Sequence, residues 1–476
     1  MARARELTPS ARAPLQLYRI SCSPRVVSVP ATATPGAGLV RRAFVWVFRR
    51  VVGIYFRDIE ATGNVPAAYT GGRVFVSNHV NALVDPILVL TAAPCPISPV
   101  AKSTLWKIPV LRWLLDIAEA VPLVRRRDDP GKAAGSNEEV FDRVAGWLAG
   151  GGNILIFPEG TSHNQPHLLE VKTGAARMLV RAERRKRDSG ESDAPITFQA
   201  VALEFDARDV FRSRCLLVYG PVHAAADYLA PGGDDDDWVQ AITEQVRADL
   251  SELLVEGATW AERLLIARVS EMLAHDAGDA SLAGWSNVGR QVEAARRTLR
   301  EMDEMQVQRI AAAVDRYYAL LGEEDMFDEQ LARGAGLPRA EIPARLILLS
   351  LALPLVVLAV LLYWLPYQVP RLAALKVAND PDEISTYKLA AGLVVYPLWV
   401  AALTTVAFLF ASMPIAIVFT AVLLVAPFVA LAFRDLSRPL RRSFRAARRE
   451  SRLAELRAAR AEVMALVGAA REKLGV

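Results

Sequence analysis

The chain has few cysteines and histidines, and over two long stretches it has no charged side chain at all. Cys22, Cys95 and Cys215 are its three thiols. Widely spaced and odd in number, they argue against a disulfide framework and against a cysteine-based zinc site, and they suit a reducing compartment. His163 and His167 stand four apart, as metal ligands on a helix would, but Pro166 between them disfavours that helix, so no metal is assigned. No apolar run precedes Leu39, which argues against a cleaved secretory signal. Residues 1–38, rich in Arg, Ser, Pro and Ala, read as a disordered basic extension, with the arginine content of a transit peptide or a bacterial tail.

Charge is missing from residues 346–366 (LILLSLALPLVVLAVLLYWLP) and from residues 389–433. A helix needs about 20 apolar residues to cross a bilayer core. The first tract is long enough for one span and the second for two, broken near Ser412-Met413-Pro414. The expectation is an integral membrane protein. The net charge is only +4, but arginines cluster beside the apolar tracts. Arg333, Arg339 and Arg345 precede them and Arg434, Arg438, Arg441 and Arg442 follow. Basic segments in such places point to anionic lipid and not to nucleic acid. Both flanks favour the cytoplasm, which asks for an even number of crossings where hydropathy counts three.

What is present divides the chain into six parts. Residues 1–38 form the extension, and residues 39–60 an amphipathic helix with arginines and aromatics suited to a membrane interface. Across residues 61–235 apolar strand signals alternate with helical ones, the pattern of an α/β domain. The strands are expected at Arg73–Ser77, Ile97–Ala101, Ala120–Val124, Asn153–Phe157, Ile196–Phe205 and Cys215–Tyr219. Ser136 and Glu139 make a capping box ahead of a helix that Gly150-Gly151-Gly152 stops. Residues 236–342 read as helices over Trp238–Leu254, Trp260–Ala274 and Arg290–Leu321, with Asp234–Asp237 as a solvated turn. Residues 343–433 carry two to three spans, and 434–476 a basic helix.

Two short blocks carry chemistry. In Ser77-Asn78-His79-Val80-Asn81-Ala82-Leu83-Val84-Asp85-Pro86, a histidine at a strand end is followed by an aspartate that can hold its tautomer, which supplies a general base. Asp85-Pro86 also suits a helix start, with Asp as N-cap, and Asn78 or Asn81 are alternative partners for His79. In Phe157-Pro158-Glu159-Gly160-Thr161-Ser162, Gly160 lets the backbone approach an anion and the hydroxyls add donors.

The two blocks, with Lys172-Thr173-Gly174-Ala175-Ala176, resemble the glycerolipid acyltransferase family over roughly residues 70–225. The closest subgroup is the one that acylates glycerol-3-phosphate or dihydroxyacetone phosphate. The resemblance implies His79 as base and Asp85 as its orienting partner. It implies a phosphate site made by Arg125, Glu159, Gly160, Thr161 and Lys172, with Glu159 anchoring the phosphate-binding arginine and Arg126 and Arg127 as competitors of Arg125. Three departures stand out: five residues separate His79 from Asp85, Glu119 occupies a glycine position, and Phe198–Leu203 lacks an expected proline. The implied reaction moves a fatty acyl group from acyl-CoA, or acyl carrier protein, to a hydroxyl of glycerol-3-phosphate, with no cofactor and no metal. Lysophosphatidate, another lysophospholipid or dihydroxyacetone phosphate are alternative acceptors, and a non-catalytic lipid-binding membrane protein is the alternative of another class. The expected location is a bacterial inner membrane, with the α/β domain on the cytoplasmic face.

Overall fold

The computed structural model describes residues 38–66, 71–124, 133–189, 194–230, 232–332, 340–448 and 450–475. Cys22, Arg125, Arg126, Arg127, Arg333 and Arg339 lie outside the described residues, as does the extension up to residue 37.

Helix α1 (Leu39–Tyr55) leads into strand β1 (Asp58–Gly63). Strand β2 (Arg73–Ser77) is followed by α2 (Val84–Ala92), and β3 (Ser98–Lys102) by α3 (Pro109–Ile117). Then come β4 (Val121–Leu123), α4 (Ala133–Ala149), β5 (Asn153–Ile156), α5 (Gly174–Ser189), β6 (Thr197–Phe205) and β7 (Arg214–Ala224). Among the described residues the strands make one sheet, ordered β1-β7-β6-β2-β5-β3-β4. Only the β6–β7 pair is antiparallel. Central parallel strands are covered on both faces and read as unbroken apolar runs. Accordingly β2 and β5 are buried at every position. Val144, Leu148, Met178 and Leu179 of α4 and α5 cover one face; Val52 of α1 with Leu88 and Val89 of α2 cover the other.

Several boundaries differ from the sequence reading. β1 has no apolar alternation to announce it; its Glu60 is buried and accepts from the backbone N–H groups of Leu282 and Ala283 at 3.0 and 2.9 Å. The helix carrying Ser136 and Glu139 starts at Ala133, because alanine extends a helix readily, so Ser136 lies inside its first turn. Asp85 is not an N-cap: α2 already begins at Val84, and the Asp85 carboxylate reaches back to the preceding loop.

Beyond the sheet lie α6 (Asp235–Leu253), α7 (Trp260–Asp276), α8 (Leu282–Met302), α9 (Glu304–Glu323) and α10 (Asp328–Ala332). Asp234 is the N-cap of α6, in a capping box with Asp237. The single helix expected over Arg290–Leu321 is two, because the Asp303 side chain accepts from Gln306 N–H and starts α9. The remaining helices are α11 (Glu341–Val377), α12 (Ile384–Phe410), α13 (Met413–Arg448) and α14 (Glu450–Leu474). The first three of these are long and apolar enough to cross a membrane. They pack together, with Trp399 Nε1 donating to Leu362 O at 2.9 Å and the Tyr363 hydroxyl to Leu423 O at 2.8 Å.

The arginine-rich tail is not a loose appendage. Leu456, Val463, Val467 and Ala470 of α14 share a buried core with Val314, Tyr317 and Leu321 of α9, and Leu331 of α10 packs on it. Arg460 of α14 pairs with Asp328 of α10 at 2.8 Å. The chain just before α11 and the chain after α13 therefore belong to one core.

Candidate active site

β2 and β5 pair in parallel with Val76 opposite Ile156, so both strands release the chain at the same sheet edge. The carboxyl edge of such a sheet is where α/β folds bind ligands. This register joins the two sequence blocks: His79 N–H donates to Glu159 Oε1 at 2.8 Å across 80 residues of chain. Asn78 is locked beside them, its side chain exchanging hydrogen bonds with Leu203 N and O at 2.7 and 3.1 Å.

The His79 ring stacks on Phe157, with centroids 4.0 Å apart, and its Nδ1 lies 3.0 Å from Asp85 Oδ2. That same oxygen accepts from the Val80 and Asn81 N–H groups at 2.8 and 2.7 Å. Asp85 is fully buried, whereas the His79 side chain keeps 14% of its exposure. A carboxylate can only accept from Nδ1–H, so the proton stays on Nδ1 and Nε2 carries the lone pair. Neither Asn78 nor Asn81 takes the place of Asp85, since Asn78 holds Leu203 and the Asn81 amide donates to Arg208 O at 3.4 Å. The loop between His79 and Asp85 holds Ala82 at φ 36°, the left-handed region that favours glycine.

Glu159 is buried and turned inward. Besides His79 N–H it accepts from Leu169 N–H at 2.8 Å and meets His163 Nε2 at 2.5 Å. Among the described residues these groups occupy it, where the resemblance implied an arginine. His163 Nδ1 accepts from Gln165 N–H at 3.0 Å, so both of its ring nitrogens are engaged and neither is left for a metal. Gly160 has φ 72°, and a Cβ there would come within 2.6 Å of Lys172 Nζ. Lys172 N–H in turn donates to Pro158 O at 2.9 Å, which seats the lysine beside the turn.

These groups border a cavity of about 1370 Å³. This exceeds the roughly 300–1,000 Å³ of an ordinary small-molecule site, as a site for two substrates would. One kind of wall is polar: His79, Gly160, Thr161, Lys172, Arg177 and Lys102. The other is apolar, with Phe44 and Phe48 of α1, Leu111 and Leu114 of α3, and Leu389 and Leu393 of α12. Arg125 lies outside the described residues, but Val124 before it lines the cavity. Glu119, at the glycine position, has φ 53°, so the glycine-like conformation persists; its side chain pairs with buried Arg41 of α1.

Sequence reasoning did not find Lys102, Arg177, Arg41 or the contribution of α12. Lys102 ends a strand, as Leu123 does just ahead of Arg125, and that shared position was a usable signal. Nothing in the sequence joins α12 to a site some three hundred residues earlier.

Residues 58–199 match the family described as Acyltransferase. The 1-acyl-sn-glycerol-3-phosphate acyltransferase of Borreliella burgdorferi is 28% identical over 191 residues, 40% of this chain and 69% of that one. The chloroplastic 1-acyl-sn-glycerol-3-phosphate acyltransferase LPAT1 of Arabidopsis thaliana is 29% identical over 133 residues, 28% of this chain and 35% of that protein's length. Glycerol-3-phosphate O-acyltransferase 2 of Saccharomyces cerevisiae is 36% identical over 84 residues, 18% of this chain and 11% of its own. A solved structure, the 1-acyl-sn-glycerophosphate acyltransferase of Thermotoga maritima, is similar with a TM-score of 0.31 and 16% identity, covering 45% of this chain and 79% of that one. The matched stretch, residues 58–199, holds the sheet edge that carries His79 and Glu159, and it is this region that is similar to the acyltransferase family.

Proposed function

We propose that the protein is a membrane-bound glycerolipid acyltransferase that moves a fatty acyl group from an acyl thioester to a hydroxyl of glycerol-3-phosphate. The observation that carries this reading is the His79–Asp85 pair, which leaves Nε2 as a base at a cavity with one cationic and one apolar kind of wall. The acceptor oxygen attacks the thioester carbon while its proton passes to His79 Nε2. The carbon–sulfur bond then breaks, and the thiolate takes the proton back from the imidazolium. Holding hydroxyl and thioester together supplies much of the rate. Lys172, Arg177 and Arg125 hold the acceptor phosphate, with Gly160 and Thr161 forming the turn beneath it; Glu159 serves the phosphate site indirectly, by fixing the turn and His79. The apolar wall takes the acyl chain.

Two acceptors compete, and each has a specific observation behind it. The higher identity, over a shorter stretch, is to a protein named for glycerol-3-phosphate; the longer alignment is to one named for 1-acyl-sn-glycerol-3-phosphate. Membranes containing the full-length protein, given labelled acyl-CoA, decide between them. Glycerol-3-phosphate, dihydroxyacetone phosphate and lysophosphatidate are offered in parallel, with acyl carrier protein as a second donor. Transfer to glycerol-3-phosphate above the other two is the expected result. Transfer to lysophosphatidate alone overturns the acceptor, and transfer to none overturns the enzyme.

A further inference from the structure

The first turns of α12 are docked on the loop that joins His79 to Asp85. Leu83 N–H, inside that loop, donates to Thr386 Oγ1 at 3.1 Å. The neighbouring Ser385 is fully buried; it accepts from the Tyr55 hydroxyl at 3.1 Å and donates to Arg208 O at 2.7 Å. Lys388 Nζ donates to Asp209 O at 2.5 Å. Arg208 passes the connection on, its Nη1 donating to Val80 O at 2.8 Å. The loop is thus held at two points by an element that hydropathy assigns to the membrane, once directly and once through Arg208.

The loop has reason to need holding. Ala82, next to Leu83, sits at φ 36°, in the left-handed region that disfavours a side chain relative to glycine. Such a conformation persists only where its surroundings over-determine it. On the inner side Asp85 receives the Val80 and Asn81 N–H groups, and Val84 N–H donates to Asn81 O at 2.9 Å. On the outer side Thr386 receives Leu83. Release of that outer tie lets Ala82 relax, and relaxation moves the backbone between the base and the carboxylate that orients it.

We propose that Thr386 is a positioning residue for the His79–Asp85 pair, so that docking of the apolar helix α12 on the α/β domain completes the active site. The effect on turnover rests on the acyl-transfer reading above; the tether itself does not. Glu383, Thr386, Tyr387 and Leu393 also line the cavity that His79 borders, so the helix is a wall of the site as well as its clamp.

The test uses the full-length protein in lipid, with Thr386→Val, Thr386→Ser, Ala82→Gly and the Ala82→Gly/Thr386→Val pair. Thr386→Val removes the acceptor at constant shape and should lower kcat about tenfold, the effect of one unmade hydrogen bond, with KM for acyl-CoA nearly unchanged. Thr386→Ser should restore it. In the Ala82→Gly background the same substitution should cost clearly less, because glycine adopts the left-handed conformation without the tether; a threonine that merely seated α12 would show no such coupling. Amide exchange at Leu83 reads the tether without any assay, and protection there should be lost in Thr386→Val. Wild-type kcat in Thr386→Val, or equal losses with and without glycine at 82, overturns the proposal. A wild type that transfers nothing, but whose Leu83 protection depends on Thr386, keeps the tether and overturns only the acyl-transfer reading.

Discussion

Two histidines that each meet a fully buried aspartate occupy different parts of the molecule and differ in what surrounds them. His79 and Asp85 meet at 3.0 Å at the sheet edge; His275 of α7 and Asp328 of α10 meet at 2.8 Å inside the helical core. Both aspartates are fully buried, but the His79 side chain retains 14% exposure and His275 only 3%. Asp328 is saturated, taking the Tyr317 hydroxyl at 2.7 Å and Arg460 Nε at 2.8 Å besides His275. Asp85 takes two loop N–H groups on the same oxygen that meets His79, and its histidine opens on a cavity. Contact between a histidine and a carboxylate is thus no mark of catalysis: among the described residues four of the five histidines have one. A nitrogen left open beside space for a substrate is the mark.

The largest expected effect separates the pairs by their chemistry. His79→Ala should lower acyl transfer by about 10²–10⁴-fold, the usual worth of a general base, while expression and thermal melting stay near wild type. His275→Ala should do the reverse, lowering the melting temperature and leaving turnover per folded molecule intact. Activity retained in His79→Ala to within a few-fold would erase the distinction, since then neither pair does chemistry.

The second test strikes the other pair through its acid. Asp328→Ala leaves His275 buried without its carboxylate and Arg460 with Asp276 alone, and removing one side of such a network costs about 3–5 kcal/mol. The same carboxylate should give a pH signature. Burial opposes its ionisation, but hydrogen bonds from His275, Arg460 and Tyr317 outweigh burial and hold Asp328 below the usual carboxylate range. A depressed pKa stabilises the fold above the unfolded value, near 4, and that stability is lost as pH falls further through the folded value. The melting temperature of the wild type should therefore drop below about pH 4, and that of Asp328→Asn should drop less. Equal acid sensitivity in both would remove Asp328 from the account.

The sequence made the first pair legible and hid the second. His79 and Asp85 are six apart and sit in a recognisable block, so the resemblance implied their meeting. His275 and Asp328 are 53 apart in unremarkable helices, and only packing joins them. The sheet was readable for a similar reason: strands such as Arg73–Ser77 are short apolar runs, whereas β1 is held by Glu60 capping a distant helix and shows no pattern. The apolar helices were legible as spans from hydropathy alone. Their ties to Leu83, Arg208 and Asp209 were not, because a threonine, a serine and a lysine at the start of a hydrophobic helix carry no signal of a partner. The basic tail read as a lipid-facing helix, and its apolar stripe from Leu456 to Ala470 became meaningful only against α9.

A third, smaller effect sharpens what makes the open pair a site. Lys172 stands over Gly160 at the cavity wall, so Lys172→Ala should raise KM for a phosphorylated acceptor by roughly 10- to 150-fold, the range of a lost charge-assisted hydrogen bond. KM for acyl-CoA should move little. The Arg125→Ala/Arg126→Ala/Arg127→Ala variant measured beside it ranks the two sources of positive charge. Unchanged acceptor KM in both would leave Arg177 and Lys102 as the phosphate ligands.

The last prediction should leave activity nearly untouched and concerns the core built around His275 and Asp328. Because α10 and α14 meet there, the chain from α11 to α13 must cross a bilayer an even number of times, although three helices are long enough to span. The two ends of the α12–α13 pair nearest the α/β domain both touch it, through Ser385 and through Asp435, which pairs with Arg212. That favours α12 and α13 as the two crossings, joined at an exposed turn around Ser412. Single cysteines at the exposed positions Ala340, Ser412 and Glu472 report this in sealed vesicles once Cys22 is replaced by serine, since Cys95 and Cys215 are buried. An impermeant thiol reagent should label Ala340→Cys and Glu472→Cys from one side and Ser412→Cys from the other. Labelling of all three from one side would keep the shared core but reduce the helices to a hairpin within one leaflet. Labelling of Ala340→Cys and Glu472→Cys from opposite sides would mean that Asp328 and Arg460 never meet, and the contrast between an open pair and a saturated one would lose its second member.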